Sequence, residues 1–279
     1  MGRSVTYQDK LKRHLANYKQ RYLGISAPGA FQYRGREVWE HHILPLADAD
    51  LNILEEARPE ARRFFANHPR KRHQYFHHLN SSQAFTFNMF FPYFYGGPDA
   101  ASALLRALGQ EGVLAKCEAE AVPVIDERSN IDMLWTTEDG AQTLCEVKLS
   151  EADYGKAADD AEHLDKLERI YGPLLATHLE PGRLEKLAFF EAYQFNRNVW
   201  HLVREDLNRL IFLLPRANEV LWKQLQELLL GVVPRTRERI SAVAIEDVIA
   251  KLFEDDRCPK VLREYADKLK QKYFIQSAS

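Results

Sequence analysis

Two short apolar runs separated by a turn signal constrain this chain more than any other feature. The first run, residues 131–135, contains Asp132, and the second, residues 143–149, contains Glu146 and Lys148. The triplet Glu-Asp-Gly lies between them and is typical of the turn of a β-hairpin. Because strand side chains alternate between the two faces, Glu146 and Lys148 should point to the same side. A paired hairpin would bring Asp132 beside them.

Two carboxylates and an ammonium group on one spot of a hairpin have two interpretations. They can form a solvated face with a cross-strand ion pair, or they can hold a divalent cation and a water to be activated. The apolar neighbours Leu144 and Leu149 favour a buried setting. Buried charges are costly unless they are paired or coordinated. The flanking residues therefore favour the metal site over the structural charge cluster.

The arrangement resembles the PD-(D/E)XK nuclease superfamily, which has the restriction-endonuclease-like fold. In that pattern an Asp lies on one strand and an acid-x-Lys triplet on the next. Asp132 matches the first acid, Glu146 the second acid and Lys148 the lysine. The pattern has a Pro before the first acid, whereas this chain has Ile131, and many members of the superfamily lack that Pro.

The resemblance implies a catalytic centre and its cofactor. Asp132, Glu146 and Lys148 would be the catalytic residues, with Mg²⁺ as the cofactor and Mn²⁺ as its alternative. Asp132 and Glu146 would bind the metal together with the backbone carbonyl of Val147. An acid on the preceding strand can complete the metal site, and we favour Glu120 over Glu118 for that role.

Two further segments extend the resemblance to about residues 79–215. A helix capped by Ser81 carries Gln83 in an aromatic setting, and a later helix carries Gln194, Arg197 and Asn198. Both segments look like elements of bacterial restriction endonucleases of this superfamily, which would place Gln83 near the active site. Gln194 and Asn198 can contact substrate, and Arg197 can contact a phosphate or a buried acid. Hydrogen bonds within the protein core are the alternative role for Gln83, Gln194 and Asn198.

The charge is distributed unevenly along the chain. The net charge is −2, but the first 80 residues carry 14 Lys and Arg against 8 Asp and Glu. A basic segment that contains Arg70, Lys71 and Arg72 can contact phosphates or be a plain solvated segment. A predicted helix over residues 4–23 has a basic face, which is either a surface face or a contact to a DNA backbone.

The order of predicted elements indicates an α/β fold with a mixed central sheet flanked by helices and a helical N-terminal extension. We predict a basic, helical region over residues 1–78, packed on a nuclease core with C-terminal helices over residues 79–279. Helices are also expected from Glu151 to about Tyr171 and, as one long element, from about residue 182 to Asp206.

Several other protein classes are excluded. Three scattered cysteines give no disulfide framework or CxxC pair, which fits a reducing cytoplasm. No apolar run is long enough for a membrane span, no leader segment is apparent, and nucleotide-cofactor glycine motifs are missing. The resemblance implies a divalent-metal-dependent nuclease, for which we expect DNA rather than RNA as the substrate and internal rather than terminal cleavage. The alternative is a catalytically silent nucleic-acid-binding or scaffold protein, and a homodimer is one arrangement to test.

Overall fold

Residues 5–275, the part of the chain that this computed structural model describes, contain twelve α-helices and seven strands. The helices are α1 Tyr7–Leu23, α2 Arg58–Asn67, α3 Ser82–Phe94, α4 Pro98–Ala107, α5 Ala161–Lys166, α6 Gly172–Leu175, α7 Lys186–Glu191, α8 Tyr193–Val203, α9 Glu219–Leu229, α10 Pro234–Arg237, α11 Ile245–Glu254 and α12 Lys260–Tyr273. The strands are β1 Gly29–Tyr33, β2 Arg36–Glu40, β3 Leu114–Ala121, β4 Ile131–Thr137, β5 Gln142–Val147, β6 Arg209–Leu214 and β7 Ile240–Ala244. Short 3₁₀ helices cover Leu46–Asn52 and Pro69–Lys71, and a π-helical segment covers Leu167–Tyr171.

The chain divides into two compact units. One unit comprises the described residues of Met1–Val113 and Ile245–Ser279, and the other comprises Leu114–Ala244. The boundary that the sequence predicts at residue 78 falls inside the first unit. None of the helices in residues 5–275 is long and apolar enough to cross a membrane.

The first unit is helical apart from the hairpin β1–β2. Its helix α1 begins with a capping box, in which Thr6 and Asp9 satisfy each other's backbone N–H groups. The helix ends at Gly24, whose φ of +68° suits glycine. In α3, which Ser81 caps, nearly every side chain is buried, so this aromatic helix lies inside the unit.

The second unit is built on a five-stranded sheet in the order β3-β4-β5-β6-β7. The pairs β3–β4 and β4–β5 are antiparallel, while β5–β6 and β6–β7 are parallel. Helices α7 and α8 lie between β5 and β6 in the chain and supply the crossover that a parallel pair needs. The mixed α/β sheet that the sequence predicts is confirmed.

The predicted hairpin is formed by β4 and β5. Met133 pairs with Cys145 and Leu134 with Leu144 in the antiparallel register. The turn contains Gly140 at a φ of +86°, where a side chain would be strained. This register brings the first residues of β4 beside the last residues of β5.

One face of the sheet is covered by α8. Leu134 of β4, Leu144 of β5 and Phe212 of β6 belong to the same buried cluster as the apolar side of α8. Phe195 stacks on Phe212 with ring centroids 5.6 Å apart. Because strand residues two apart share a face, the site acids of β4 and β5 also face α8.

Two predicted helices differ from the structure. Residues 151–160 contain no helix, because the Glu151 carboxylate accepts hydrogen bonds from the backbone N–H groups of Leu149 and Ser150. Such local bonds compete with helix formation, and the helix begins only at Ala161. The long helix predicted from about residue 182 is two helices, α7 and α8, which are interrupted at Ala192.

Candidate active site

Asp132 and Glu146 meet at the open end of the hairpin. Oδ2 of Asp132 accepts a hydrogen bond of 2.7 Å from the backbone N–H of Val147, the residue after Glu146. Glu146 is buried, whereas Asp132 is half-buried and keeps some exposure. Burial, together with the nearby carboxylates of Glu146 and Glu120, raises the pKa of Asp132 well above its usual range.

Glu120 of β3 is the third acid of this cluster. Its φ of +51° lies in the left-handed region, which costs a non-glycine residue about 1 kcal/mol or more. The distorted backbone breaks the predicted alternation of Glu118 and Glu120 on one face, because Glu118 is exposed while Glu120 is buried. Oε2 of Glu120 accepts a hydrogen bond from Asn130 at 3.1 Å. The strain accompanies a carboxylate placed close enough to Asp132 to raise its pKa.

Lys148 supplies the positive charge of the site. Its Nζ lies 3.2 Å from Oε1 of Glu146, and both side chains are at least nine-tenths buried. Burial opposes the charge of Lys148, but the carboxylates of Glu146, Glu151 and Asp132 outweigh it and raise the pKa of Lys148. The amine is therefore an ammonium group at neutral pH and acts as a donor.

Helix α8 holds both charged partners in place through two amides. Gln194 donates from Nε2 to Oε1 of Glu146 at 2.6 Å and accepts from Lys148 at 2.5 Å. Asn198, one turn later, donates from Nδ2 to Oε2 of Glu146 at 3.1 Å. The structure thus places this amide pair on the acid and the lysine of the hairpin. Both amides make hydrogen bonds within the protein, which is one of the two roles that the sequence analysis considers for them, the other being contact with substrate.

Three residues of the irregular segment after β5 support the site and were not singled out from the sequence. Glu151 is one of the carboxylates that raise the pKa of Lys148. The ring of Tyr154 lies 5.9 Å from the Lys148 ammonium. Gly155 has a φ of +67°, and a Cβ there would lie 2.9 Å from Oε1 of Gln194. Of these three residues, only the glycine could have been recognised from the sequence, because glycine is typical of turns and of close approaches of the backbone.

A second buried network joins α8 to the loop before β4. Glu127 accepts hydrogen bonds from the Ser129 N–H at 2.9 Å, from the Ser129 hydroxyl and from the Tyr171 hydroxyl at 2.5 Å. Nε2 of His201 lies 3.0 Å from the Ser129 hydroxyl and 3.3 Å from the Glu127 carboxylate. Since Ser129 precedes Asp132 by three residues, the network ties the strand of Asp132 to the helix that holds Glu146.

The charge of Glu127 is expected to make the protein acid-sensitive. Burial opposes its ionisation, but hydrogen bonds from His201, Ser129 and Tyr171 outweigh it and lower the pKa of Glu127 to about 2. A carboxyl whose pKa is lower in the folded state stabilises the fold above its usual pKa and loses that effect as the pH falls. The free energy of unfolding should therefore decrease by about 3 kcal/mol from this group as the pH falls from about 4.5 to about 2.

Glu127→Gln tests this expectation. The amide removes the charge and turns one acceptor into a donor facing the Ser129 N–H, so we expect a loss of about 2–4 kcal/mol at pH 7. Urea unfolding at pH 7 and at several values between pH 5 and pH 3 measures both quantities. Asp126→Asn, at the exposed neighbouring position, is the matched control and should behave as the wild type. An unchanged acid dependence in Glu127→Gln would show that other carboxyls control the acid unfolding.

The remaining predicted contact residues are Arg197, Gln83 and the basic segment 70–72. Arg197 is half-buried, and its Nε has no hydrogen-bond partner in the described part of the chain. Gln83 belongs to the first unit, where it donates to the carbonyl of Lys71 at 2.7 Å and accepts from the His73 N–H at 3.0 Å. Arg72 is paired with an aspartate and lies over two aromatic rings, while Arg70 is exposed. The substrate roles of Gln83, Arg197 and residues 70–72 stay predictions.

The donor atoms near the hairpin suit a hard divalent cation. Oδ1 of Asp132 accepts no hydrogen bond from residues 5–275, and Oε2 of Glu146 accepts only the one from Asn198. Magnesium prefers such oxygen donors and is usually coordinated by one or two carboxylates together with several waters. Within the described residues no three His, Cys, Asp or Glu side chains are grouped as a complete metal site. Asp132 and Glu146 thus fit as a partial ligand set.

The fold and these contacts define a class of protein. A mixed sheet with an acid on one strand of a hairpin and an acid-x-Lys triplet on the next is the restriction-endonuclease-like arrangement, and the resemblance stated from the sequence is confirmed. The chain matches the family model described as "Restriction Endonuclease associating with ARP" over residues 12–274 and belongs to that family. No curated protein and no solved structure matches the chain.

Proposed function

We propose that this protein is a divalent-metal-dependent endonuclease that hydrolyses phosphodiester bonds in DNA. The observation that carries the proposal is the convergence of Asp132, Glu146 and Lys148 at one end of the β4–β5 hairpin. Gln194 hydrogen-bonds to both Glu146 and Lys148, and Asn198 hydrogen-bonds to Glu146. The restriction endonuclease named in the family description supports DNA as the substrate and internal cleavage as the reaction. The same description supports a partner called ARP.

Asp132 and Glu146 would hold Mg²⁺ or Mn²⁺, together with the carbonyl of Val147 and, as a further donor, Glu120. The cation, when bound, would stabilise negative charge on the phosphate and lower the pKa of a water. It would also offset the repulsion among the carboxylates that raises the pKa of Asp132 in its absence.

Lys148 would donate a hydrogen bond to the phosphate as negative charge develops on its oxygens. Because its pKa is raised, it carries its proton at neutral pH and is unsuited to take one from water. Gln194 accepts one hydrogen bond from Lys148 and so fixes the direction of the ammonium group. Asn198 and Gln194 likewise hold the Glu146 carboxylate in one orientation.

The cationic residues outside the hairpin are proposed phosphate contacts. Arg70 is exposed and makes no ion pair with a described residue, and Arg197 keeps an unused donor. Gln83 hydrogen-bonds to the backbone of Lys71 and His73 and so shapes the basic segment. A phosphate-binding role predicts weaker DNA retention at higher salt when these charges are present.

One experiment separates the enzyme from a silent nucleic-acid binder. The protein is mixed with labelled duplex DNA in two conditions. With Ca²⁺, retention of the DNA on a gel measures binding, and with Mg²⁺ or Mn²⁺ the appearance of shorter products measures cleavage. We expect retention in Ca²⁺ and internal cuts in Mg²⁺ that EDTA prevents. Retention without product under either metal would replace the nuclease with the binding protein. Parallel RNA and single-stranded substrates test the choice of DNA.

A further inference from the structure

A cleft in the first unit is lined by residues of α1, of β2 and of the segments that follow these two elements. It has a volume of about 510 Å³, which lies within the range of small-ligand sites. One wall is a face of α1 that presents Arg13, Asn17 and Gln20, and the facing wall includes Trp39 of β2. The sequence singled out the basic face of this helix, and the proposed catalytic reaction does not use it.

Trp39 supplies an apolar plate at the cleft. Its side chain is 59% exposed, an unusual state for the largest aromatic residue. The indole N–H donates to Oε2 of Glu37 at 3.0 Å, so the polar edge is satisfied and orients the ring. The face of the indole ring remains accessible to a ligand, and a planar base that stacks on it gains about 1–3 kcal/mol of binding free energy.

The opposite wall supplies unused polar groups. Arg13, Asn17 and Gln20 follow at spacings of four and three residues, which places them along one stripe of α1. All three are exposed, and the side chain of none of them makes a hydrogen bond or ion pair with another residue between 5 and 275. A guanidinium group suits a phosphate, and each amide offers one acceptor and two donors to the edge of a base.

A second cation at the cleft can be released to a ligand. Lys12 pairs with Glu40 at 3.1 Å, and both side chains are about one-third exposed. Nδ1 of His42 lies 3.0 Å from the same carboxylate oxygen, so Glu40 keeps a partner when Lys12 turns away. An incoming phosphate could therefore recruit Lys12 at small cost.

We propose that this cleft binds one nucleotide, with its base stacked on Trp39, its phosphate at Arg13 and Lys12, and its base edge at Asn17 and Gln20. The two cations argue against a neutral sugar, and the pair of amides beside an indole plate argues against an acidic peptide. The nucleotide can be free or part of a single strand, and the shared chemistry is a base with a phosphate. The site is independent of metal and of cleavage.

The test is equilibrium binding to the full chain in EDTA, which keeps the hairpin reaction out of the readout. A deoxynucleoside monophosphate is titrated by calorimetry, which does not depend on Trp39 as a reporter, and a labelled single-stranded oligonucleotide is titrated separately by fluorescence anisotropy. We expect Trp39→Ala and Arg13→Ala each to weaken binding about tenfold or more, near the loss of one stacked base. Trp39→Phe, which keeps a ring face, should retain most of the affinity.

Two matched controls remove a similar side chain from a position that does not line the cleft. Tyr33→Ala removes an exposed aromatic residue of the same hairpin, and Lys10→Ala removes an exposed cation of the same helix. Both should bind like the wild type. A Trp39-dependent signal with the monophosphate identifies a free nucleotide as the ligand, and one with the oligonucleotide alone identifies a strand.

Several results would overturn the proposal. One is binding of neither probe, and another is equal affinity in the wild type and Trp39→Ala. A third is equal weakening by Tyr33→Ala or Lys10→Ala, which would indicate nonspecific contact. Polyglutamate that binds in a Trp39-dependent way while both nucleotide probes fail would assign the cleft to an acidic peptide.

Discussion

Asp132→Asn should abolish metal-dependent cleavage while leaving the metal-free protein at least as stable as the wild type. The amide can still accept the hydrogen bond from the Val147 N–H, so the hairpin keeps its geometry. It removes a carboxylate whose pKa is raised by burial, Glu146 and Glu120. Loss of a charged metal ligand should reduce the cleavage rate about 10³-fold or more, while relief of repulsion should add about 1 kcal/mol of stability.

The sign of the pH dependence follows from the raised pKa of Asp132. A carboxyl whose pKa is higher in the folded state favours folding below its usual pKa and opposes it as the pH rises through the folded value. In EDTA the wild type should therefore lose stability from about pH 4 upward relative to Asp132→Asn. Mg²⁺ at about 100 times its Kd should add about 2.7 kcal/mol to the wild type and nothing to the variant.

Urea unfolding with and without Mg²⁺, beside a DNA cleavage assay, measures both parts. Glu118→Gln is the control, because it removes an exposed acid from β3, the strand that pairs with β4. It should cut DNA and respond to Mg²⁺ as the wild type does. A large loss of stability in metal-free Asp132→Asn would contradict the charge repulsion that this account assigns to the site.

Lys148→Met is expected to lose both cleavage and stability. The lysine forms an ion pair with Glu146 that is almost fully buried, and it is also held by Gln194. Removing one partner of a buried pair leaves the other charge uncompensated, which costs about 3–5 kcal/mol. The donor to the phosphate is lost at the same time, so cleavage should fall about 10²–10³-fold or more.

Lys156→Met is the matched control for this substitution. Lys156 forms an ion pair with Glu191 in which both side chains are more than half exposed. Solvent screens such a pair, so stability and cleavage should stay near the wild-type values. Chemical denaturation and initial cleavage rates of the two methionine variants provide the comparison. Equal behaviour of the two variants would show that burial of the Lys148 pair has no energetic effect.

The sequence predicted the centre of the site because local patterns determine it. Alternation along two short strands and a Glu-Asp-Gly turn place Asp132, Glu146 and Lys148 together without knowledge of the rest of the chain. Caps also act locally, so α3 begins directly after Ser81, the residue that the sequence predicts as its cap.

The parts that the sequence did not predict depend on distant residues. Glu127 meets Tyr171 and Ser129 meets His201 across 44 and 72 positions of the chain, and no spacing rule links them. The positive φ of Glu120 has no signature, because glycine is the residue that marks such a conformation. The absence of a helix over residues 151–160 reflects hydrogen bonds of Glu151 that compete with the helix expected to begin there.

A plasmid assay of the wild type beside Glu146→Gln tests whether the residues of the β4–β5 hairpin cut DNA. The substitution removes the charge that Lys148, Gln194 and Asn198 surround. With Mg²⁺ the wild type should convert supercoiled plasmid to open and linear forms, EDTA should prevent this, and Glu146→Gln should leave the plasmid intact. Cleavage by Glu146→Gln at the wild-type rate would place the catalytic residues outside the β4–β5 hairpin.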